Sequence, residues 1–202
     1  MLELETARLV GRGLHRECYE YPGDPSRCVK VVVAGNSDEN RREAKYYALL
    51  AARGISWEML SRFYGLEQTS MGLGAIFELV RDHDGQVSQT LEHYLARPDP
   101  DEHIQAALSL ALPALRAYLL RYRVVTMTLK SKNILLQQTA DYGGRLVVVD
   151  NVGNSDFIPL SNYIGRFARS KIRRKWRRFA ADLLAQHPDN EALHSILYVH
   201  LD

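Results

Sequence analysis

Cysteine is scarce in this chain: 202 residues hold two, Cys18 and Cys28. Neither has companions at metal-ligand spacing, so both are expected as buried free thiols with no chemistry of their own. The histidines (His15, His83, His93, His103, His187, His194 and His200) show no ligand spacing with cysteine or carboxylates. None is assigned to zinc. Long apolar runs are missing too, since nothing approaches the roughly 18 to 20 residues that a membrane-spanning helix needs. The start, Met1-Leu2-Glu3-Leu4-Glu5, is acidic where a signal peptide is basic. A cytoplasmic address is the expectation. Acidic residues are absent from Gly165 to Arg178, a segment that carries Arg166, Arg169, Lys171, Arg173, Arg174, Lys175, Arg177 and Arg178. Removing those eight charges from the net +2 leaves −6 for the rest of the chain. A basic element thus sits on a mildly acidic body and should face something anionic.

What the chain does have is enough apolar material, 46%, to bury a sizeable core in one domain or two small lobes. The first eighty residues read βββαββ. Strands are expected at Arg8 to Gly11, Glu17 to Tyr21 and Arg27 to Ala34, a glycine-punctuated antiparallel meander. A helix capped by Asn36 or Ser37 follows, with Ala44, Tyr47, Ala48 and Ala51 as its apolar stripe, Glu43 beside it and Gly54 as its stop. Two further strands, Phe63 to Tyr64 and Ala75 to Val80, flank a turn at Met71 to Gly74. The polar stretch Arg81 to Val87 is the best hinge, dividing residues 1–80 from 81–202. The second half opens with a helix, Asp101 to Arg123, whose face is Ile104, Ala107, Leu108, Ala111, Leu112, Leu115 and Leu119, with Pro113 expected to kink it. A hairpin, Ile134 to Gln137 and Leu146 to Asp150, turns at Asp141-Tyr142-Gly143-Gly144. Helices at Ser161 to Ala185 and Asp189 to Leu201 complete the chain. The fold class is α+β.

Several residues have the right type for phosphate chemistry. Leu9-Val10-Gly11-Arg12-Gly13 suits a loop that approaches phosphates, because glycine removes the Cβ that would block them; a plain turn is the simpler reading of it alone. Lys30 stands inside the apolar strand Cys28-Val29-Lys30-Val31-Val32 and needs a partner or an anionic ligand there, unless it lies on an edge and reaches water. Glu43, one helix later, has the sign to hold Lys30; among Arg41, Arg42 and Lys45 it reads equally as a solvated charge pair. Asn133 and Asp150 offer the hard oxygen ligands that Mg2+ takes together with phosphates and water. Asp150 alone would read as a turn residue. The order gives these residues joint meaning: glycine loop, strand lysine, helix glutamate, hinge, loop asparagine, strand-end aspartate.

That order resembles a protein kinase, whose catalytic loop reads H-R-D-L-x-x-x-N. Aligning Leu129 and Asn133 with its Leu and Asn puts Thr128 where the catalytic Asp stands and Met127 where the Arg stands. More specifically, the chain resembles the YrbL family, the PhoP regulatory network proteins of bacteria, which look like diverged, shortened members of the protein-kinase-like fold. Gly11-Arg12-Gly13-x-His15-Arg16-x-Cys18-Tyr19, Cys28-Val29-Lys30-Val31, Arg41-Arg42-Glu43-x-x-Tyr46-Tyr47, Val124 to Leu135 and Asp150-Asn151-x-Gly153-x-Ser155 carry the likeness.

The resemblance implies a compact bilobal fold with a small β-rich N-lobe and a helical C-lobe, binding Mg-ATP between them. Gly11 and Gly13 would cover the phosphates, Lys30, held by Glu43, would contact them, and Asn133 and Asp150 would bind the metal. Lys130 matches a lysine that kinases place near the transferred phosphate. Thr128 cannot take a proton as a carboxylate does near neutral pH, and loss of a general base costs about 10² to 10⁴ in rate. The Asp150-Asn151-Val152-Gly153 turn departs from D-F-G, and no A-P-E segment follows. Three functions stay open: a phosphotransferase acting on a small molecule or envelope-related saccharide, a pseudokinase that senses nucleotide or binds a partner, and a basic surface-binding protein. The Arg166 to Arg178 helix reads equally as a solvated charged face on a docked helix; its candidate partners are an anionic lipid surface, which would place the protein at the inner membrane face, a saccharide or another protein. Nucleic acid ranks below them for want of a base-reading motif.

Overall fold

The computed structural model describes residues 1–35, 38–97, 101–141, 143–153 and 160–198. They form an α+β protein with two antiparallel sheets, grouped in two compact units: Met1–Trp57 with Ser61–Val80, and Glu58–Leu60 with the residues from Arg81 onward.

The first unit is a five-stranded sheet in the order β1-β2-β3-β5-β4. Its strands are β1 (Leu9–Arg12), β2 (Arg16–Tyr21), β3 (Asp24–Val32), β4 (Phe63–Thr69) and β5 (Gly72–Glu78). Alternation and turn chemistry drive it: Gly23, at φ +83, makes the tight β2–β3 turn that a side chain would strain. Strand β4 runs well past Tyr64, and its turn to β5 is at Ser70 and Met71, so Gly72 to Gly74 lie in strand β5 instead. Gly74 is needed for close packing, because a Cβ there would sit 2.6 Å from Val29 Cγ1. Val29, Val31, Leu4 and Ile76 form a buried cluster on one side of this sheet.

Helix α1 (Glu39–Ala52) packs on β3, β4 and β5. Of the stripe read from the sequence Tyr47 is buried and Ala44 half-buried, while the buried face as a whole is Asn40, Glu43, Tyr46, Tyr47 and Leu50. The aromatic rings decide this: Tyr47 stacks on Trp57 at 5.9 Å and meets Phe77 edge-on at 5.2 Å, so the larger apolar area turns inward and Ala48 and Ala51 face water. Asp38 stands at the helix start; the expected caps Asn36 and Ser37 lie outside the described residues.

In the second unit β6 (Gln89–Thr90), β7 (Ile134–Gln138) and β8 (Gly144–Val148) make a three-stranded sheet. Neither β6 nor α2 (Leu91–Leu95), capped by the Thr90 hydroxyl, was evident in the sequence. The turn residue Tyr142 lies outside the described residues. Helix α3 (Glu102–Tyr122) starts at the Asp101 carboxylate, which accepts the His103 N–H. It buries Ala107, Leu108, Ala111, Leu112, Leu115 and Leu119 as its periodicity predicts and adds Tyr118, while Ile104, expected on the same face near the helix start, is only half-buried. Pro113 lies inside it and withholds one helical N–H. Helices α4 (Leu160–Tyr163), α5 (Gly165–Gln186) and α6 (Glu191–Tyr198) follow, with α5 and α6 packed on α3; the expected C-terminal Leu201 lies outside the described residues. Residues 58–60 join this unit because Met59 and Leu60 pair with Val148. Among the described residues no helix is long and apolar enough to cross a membrane.

Both cysteines are free, Cys28 buried and Cys18 half-buried. On paired strands Cys18 lies opposite Lys30 and Cys28 opposite Glu20, which puts the thiols diagonally on one face. The hydrogen bond with Cys18, reinforced by burial, pushes the Cys28 thiol well above its ordinary pKa. Iodoacetamide should therefore modify Cys18 first and Cys28 at least about 10-fold more slowly until denaturant is added. Peptide mass spectrometry reads the order, and equal native rates would show that β2 and β3 open readily.

Candidate functional site

In the first unit the β1–β2 hairpin carries the two glycines. Gly11 follows a register break after Leu9, and Gly13 closes the turn by donating its N–H to the Arg16 carbonyl at 2.8 Å. A Cβ on Gly11 would meet nothing within 4 Å, whereas one on Gly13 would lie 3.3 Å from the Arg16 oxygen. Gly11 is thus not required by packing. The hairpin tip, Gly13 to His15, is exposed.

Lys30 is buried on β3, where the register sets it between Cys18 and Ala75, and its Nζ lies 4.5 Å from the Phe77 ring centroid. A desolvated ammonium on a π face is favourable. Glu43, expected from the sequence to hold Lys30, is engaged by Arg16: Arg16 Nη1 donates to Glu43 Oε2, with the two side chains only 8% and 6% exposed. Arg16 Nε also lies 3.6 Å from Glu39. Asn40, wholly buried, connects this pair to the sheet. Its amide nitrogen donates to the Lys30 carbonyl at 3.0 Å and the Leu73 carbonyl at 2.7 Å, and its oxygen accepts from Arg16 Nη1 at 3.4 Å. Glu43 Oε1 is buried with no hydrogen-bond partner. Arg16 and Asn40 were assigned no role from sequence, although an arginine opening a strand opposite Val32 was a visible signal of a charge that must find a partner.

In the second unit the loop holding Thr128 is zipped to the turn holding Asp150. Met127 N–H donates to the Asn151 carbonyl at 2.7 Å, Gly153 N–H to the Val125 carbonyl at 2.9 Å, and Thr126 bridges Val152. Asn151 takes the left-handed φ of 58, which asparagine tolerates better than most residues, and its Nδ2 donates to Thr128 Oγ1 at 3.0 Å. Asn151 thereby ties the turn to Thr128. Asp150 Oδ1 accepts the Asn151 N–H at 2.8 Å, and β8 itself ends at Val148, so Asp150 sits in the turn beyond it. Ser155 lies outside the described residues.

Asn133 ends a single 3-10 turn, Ser131–Asn133, that springs from the exposed Lys130. Its N–H donates to the Lys130 carbonyl and its carbonyl accepts from Val149 N–H, both at 3.0 Å. Since Ile134 pairs with Val148, Asn133 faces Val149 and is set beside the Asp150 turn. Asn133 is buried, and its Nδ2 has no hydrogen-bond partner. Thr128, Asn133, Asp150 and Asn151 are thus gathered on two adjoining loops.

Helix α5 braces the same loop. Its Lys175 Nζ donates to the Met127 carbonyl, and Lys171 is buried, so these two of the eight basic residues turn inward while the six arginines stay exposed.

The sequence profile described as PhoP regulatory network protein YrbL matches residues 2–184. Proteins described as uncharacterized protein YrbL, from Escherichia coli strain K12 and from Shigella flexneri, are each 38% identical to this chain over 184 residues. The match covers 90% of this chain and 87% of each relative.

Proposed function

The chain belongs to the YrbL family of PhoP regulatory network proteins, and within that family we propose that it is an atypical kinase-like protein that binds Mg-ATP. The observation that carries this reading is Asn133: a buried amide with an orphaned end, held by backbone bonds beside the turn that presents Asp150. An orphaned buried polar group costs about 1 to 3 kcal/mol, which a ligand would recover. Rotating an amide about its last bond exchanges NH2 for a carbonyl oxygen, so Asn133 and Asp150 fit a hard cation. Mg2+ keeps waters and phosphate oxygens in its shell, so it needs only one or two protein oxygens of this kind.

On this reading Mg2+ would neutralise charge on the nucleotide phosphates. In the first unit Lys30 is a buried cation and Gly11 has an open side, the residue types that the kinase likeness assigns to nucleotide phosphates. Lys130, exposed at the start of the Asn133 turn, supplies a further cation for the terminal phosphate. For transfer, the acceptor would be a small molecule or an envelope-related saccharide, with ADP leaving and phosphate passing to an acceptor hydroxyl. Thr128 supports the second reading, a pseudokinase. Its hydroxyl is occupied by Asn151 and no carboxylate stands at that position, so any turnover falls about 10² to 10⁴ below that of a kinase with its base.

Calorimetric titration of ATP with and without Mg2+ tests the site. Binding is expected to require the metal and to weaken at least about 10-fold in Asp150→Asn, which removes the charge but keeps an oxygen to accept the Asn151 N–H. Absence of binding, or equal binding by the variant, would overturn the reading.

A further inference from the structure

Helix α5 does two jobs at once. Its inner side, with Ala168, Ile172, Trp176, Phe179, Ala180 and Leu183, is buried. Its outer side carries the six exposed arginines, and among the described residues no carboxylate pairs with any of them. Asp182 is the one acidic residue of the helix. Arg166, Arg173 and Arg177 repeat at i, i+7 and i+11 and fall on one stripe; Phe167, Arg174 and Arg178 repeat the spacing on the next. From Arg166 to Arg178 the cationic face runs about 18 Å. At its N-terminal end Ile164 and Phe167 are 42% and 52% exposed, three residues apart, amid these charges.

Unneutralised like charges along one face repel each other, and they persist at low cost only where an anionic partner spreads along the same length. Which partner follows from shape and composition. A helix docked along its whole length by one side presents a shallow face, which meets a plane better than it enters a nucleic-acid groove. Between Arg166 and Arg178 the exposed positions other than arginine are Phe167 and Ser170, so the cationic stretch itself holds no Asn or Gln to read bases. The exposed Ile164 and Phe167 have no counterpart in a purely electrostatic contact but suit the boundary between headgroups and acyl chains. We propose that the outer face of α5 docks this protein on an anionic phospholipid bilayer, the arginines against the headgroups and Phe167 at the acyl boundary. This does not depend on nucleotide binding.

Flotation of the full chain with vesicles tests it, comparing pure phosphatidylcholine with phosphatidylcholine containing about 30% phosphatidylglycerol. The protein should float with the anionic vesicles alone and lose at least about 10-fold in affinity between about 0.1 M and about 0.5 M salt. The double reversal Arg173→Glu with Arg177→Glu should cost about 30-fold or more, and Phe167→Ser about 5-fold. All three positions are exposed, so thermal melting by circular dichroism should be unchanged. Equal flotation with neutral vesicles, or indifference to the double reversal, overturns the proposal. So does tighter binding of a polyuridylate oligomer than of the vesicles at equal phosphate concentration, which would assign the face to nucleic acid.

Discussion

Arg16→Met is expected to destabilise the first unit by about 3 to 5 kcal/mol, and the double variant Arg16→Met with Glu43→Met to recover most of that loss. The reason is the asymmetry of buried charge. Arg16 and Glu43 both lie out of water, so their attraction in the native state is largely offset by the cost of desolvating them. Removing Arg16 alone leaves a carboxylate that has already lost one oxygen to an unpartnered position and now loses the other. Removing both leaves two apolar side chains facing each other. Tryptophan fluorescence can follow this unit separately, since Trp57 lies in it and Trp176 in the other; in a Trp176→Phe background, urea unfolding reports the first unit alone. A single-variant loss below about 1 kcal/mol would mean that water reaches the pair.

The second large effect is expected at Trp176→Ala, a loss of about 3 to 5 kcal/mol from the second unit. Trp176 is 1% exposed and meets Phe179 edge-on at 5.5 Å. Alanine would leave a large void in a face that holds α5 down. Trp176→Phe should cost less, under about 1.5 kcal/mol, because it keeps an aromatic ring and removes an indole N–H that has no hydrogen-bond partner. Loosening α5 should also reach the Thr128 loop, because the neighbouring Lys175 holds the Met127 carbonyl. Hydrogen exchange at the amides of Met127 and Gly153, which zip the loop to the Asp150 turn, is therefore expected to rise in the alanine variant. Unchanged protection there would separate the packing of α5 from the order of the loop.

Where a buried face is built from apolar residues at a helical period, as in α3, the sequence suffices to find it: Ala107, Leu108, Ala111, Leu112, Leu115 and Leu119 are all inside. In α1 the same reasoning found Tyr47 and set Glu43 beside the buried stripe but took Ala48 and Ala51 for part of it, because Asn40 looks like a surface residue until Arg16 arrives from another strand. The basic run of α5 was legible as charge, but not the inward turn of Lys171 and Lys175. Around Thr128 and Asp150 the residue types and their order were readable, whereas the bond from Asn151 to Thr128 was not.

By itself the sequence determined the α+β class, most of the elements and the YrbL likeness, since these rest on side-chain chemistry and on periodicities within one helix or strand. Tertiary structure decided which partner each buried charge takes. Arg16 meets Glu43 across 27 residues and Lys175 meets the Met127 carbonyl across 48. No local period encodes such pairs: a desolvated charge must be matched by whatever group the folded backbone brings within reach.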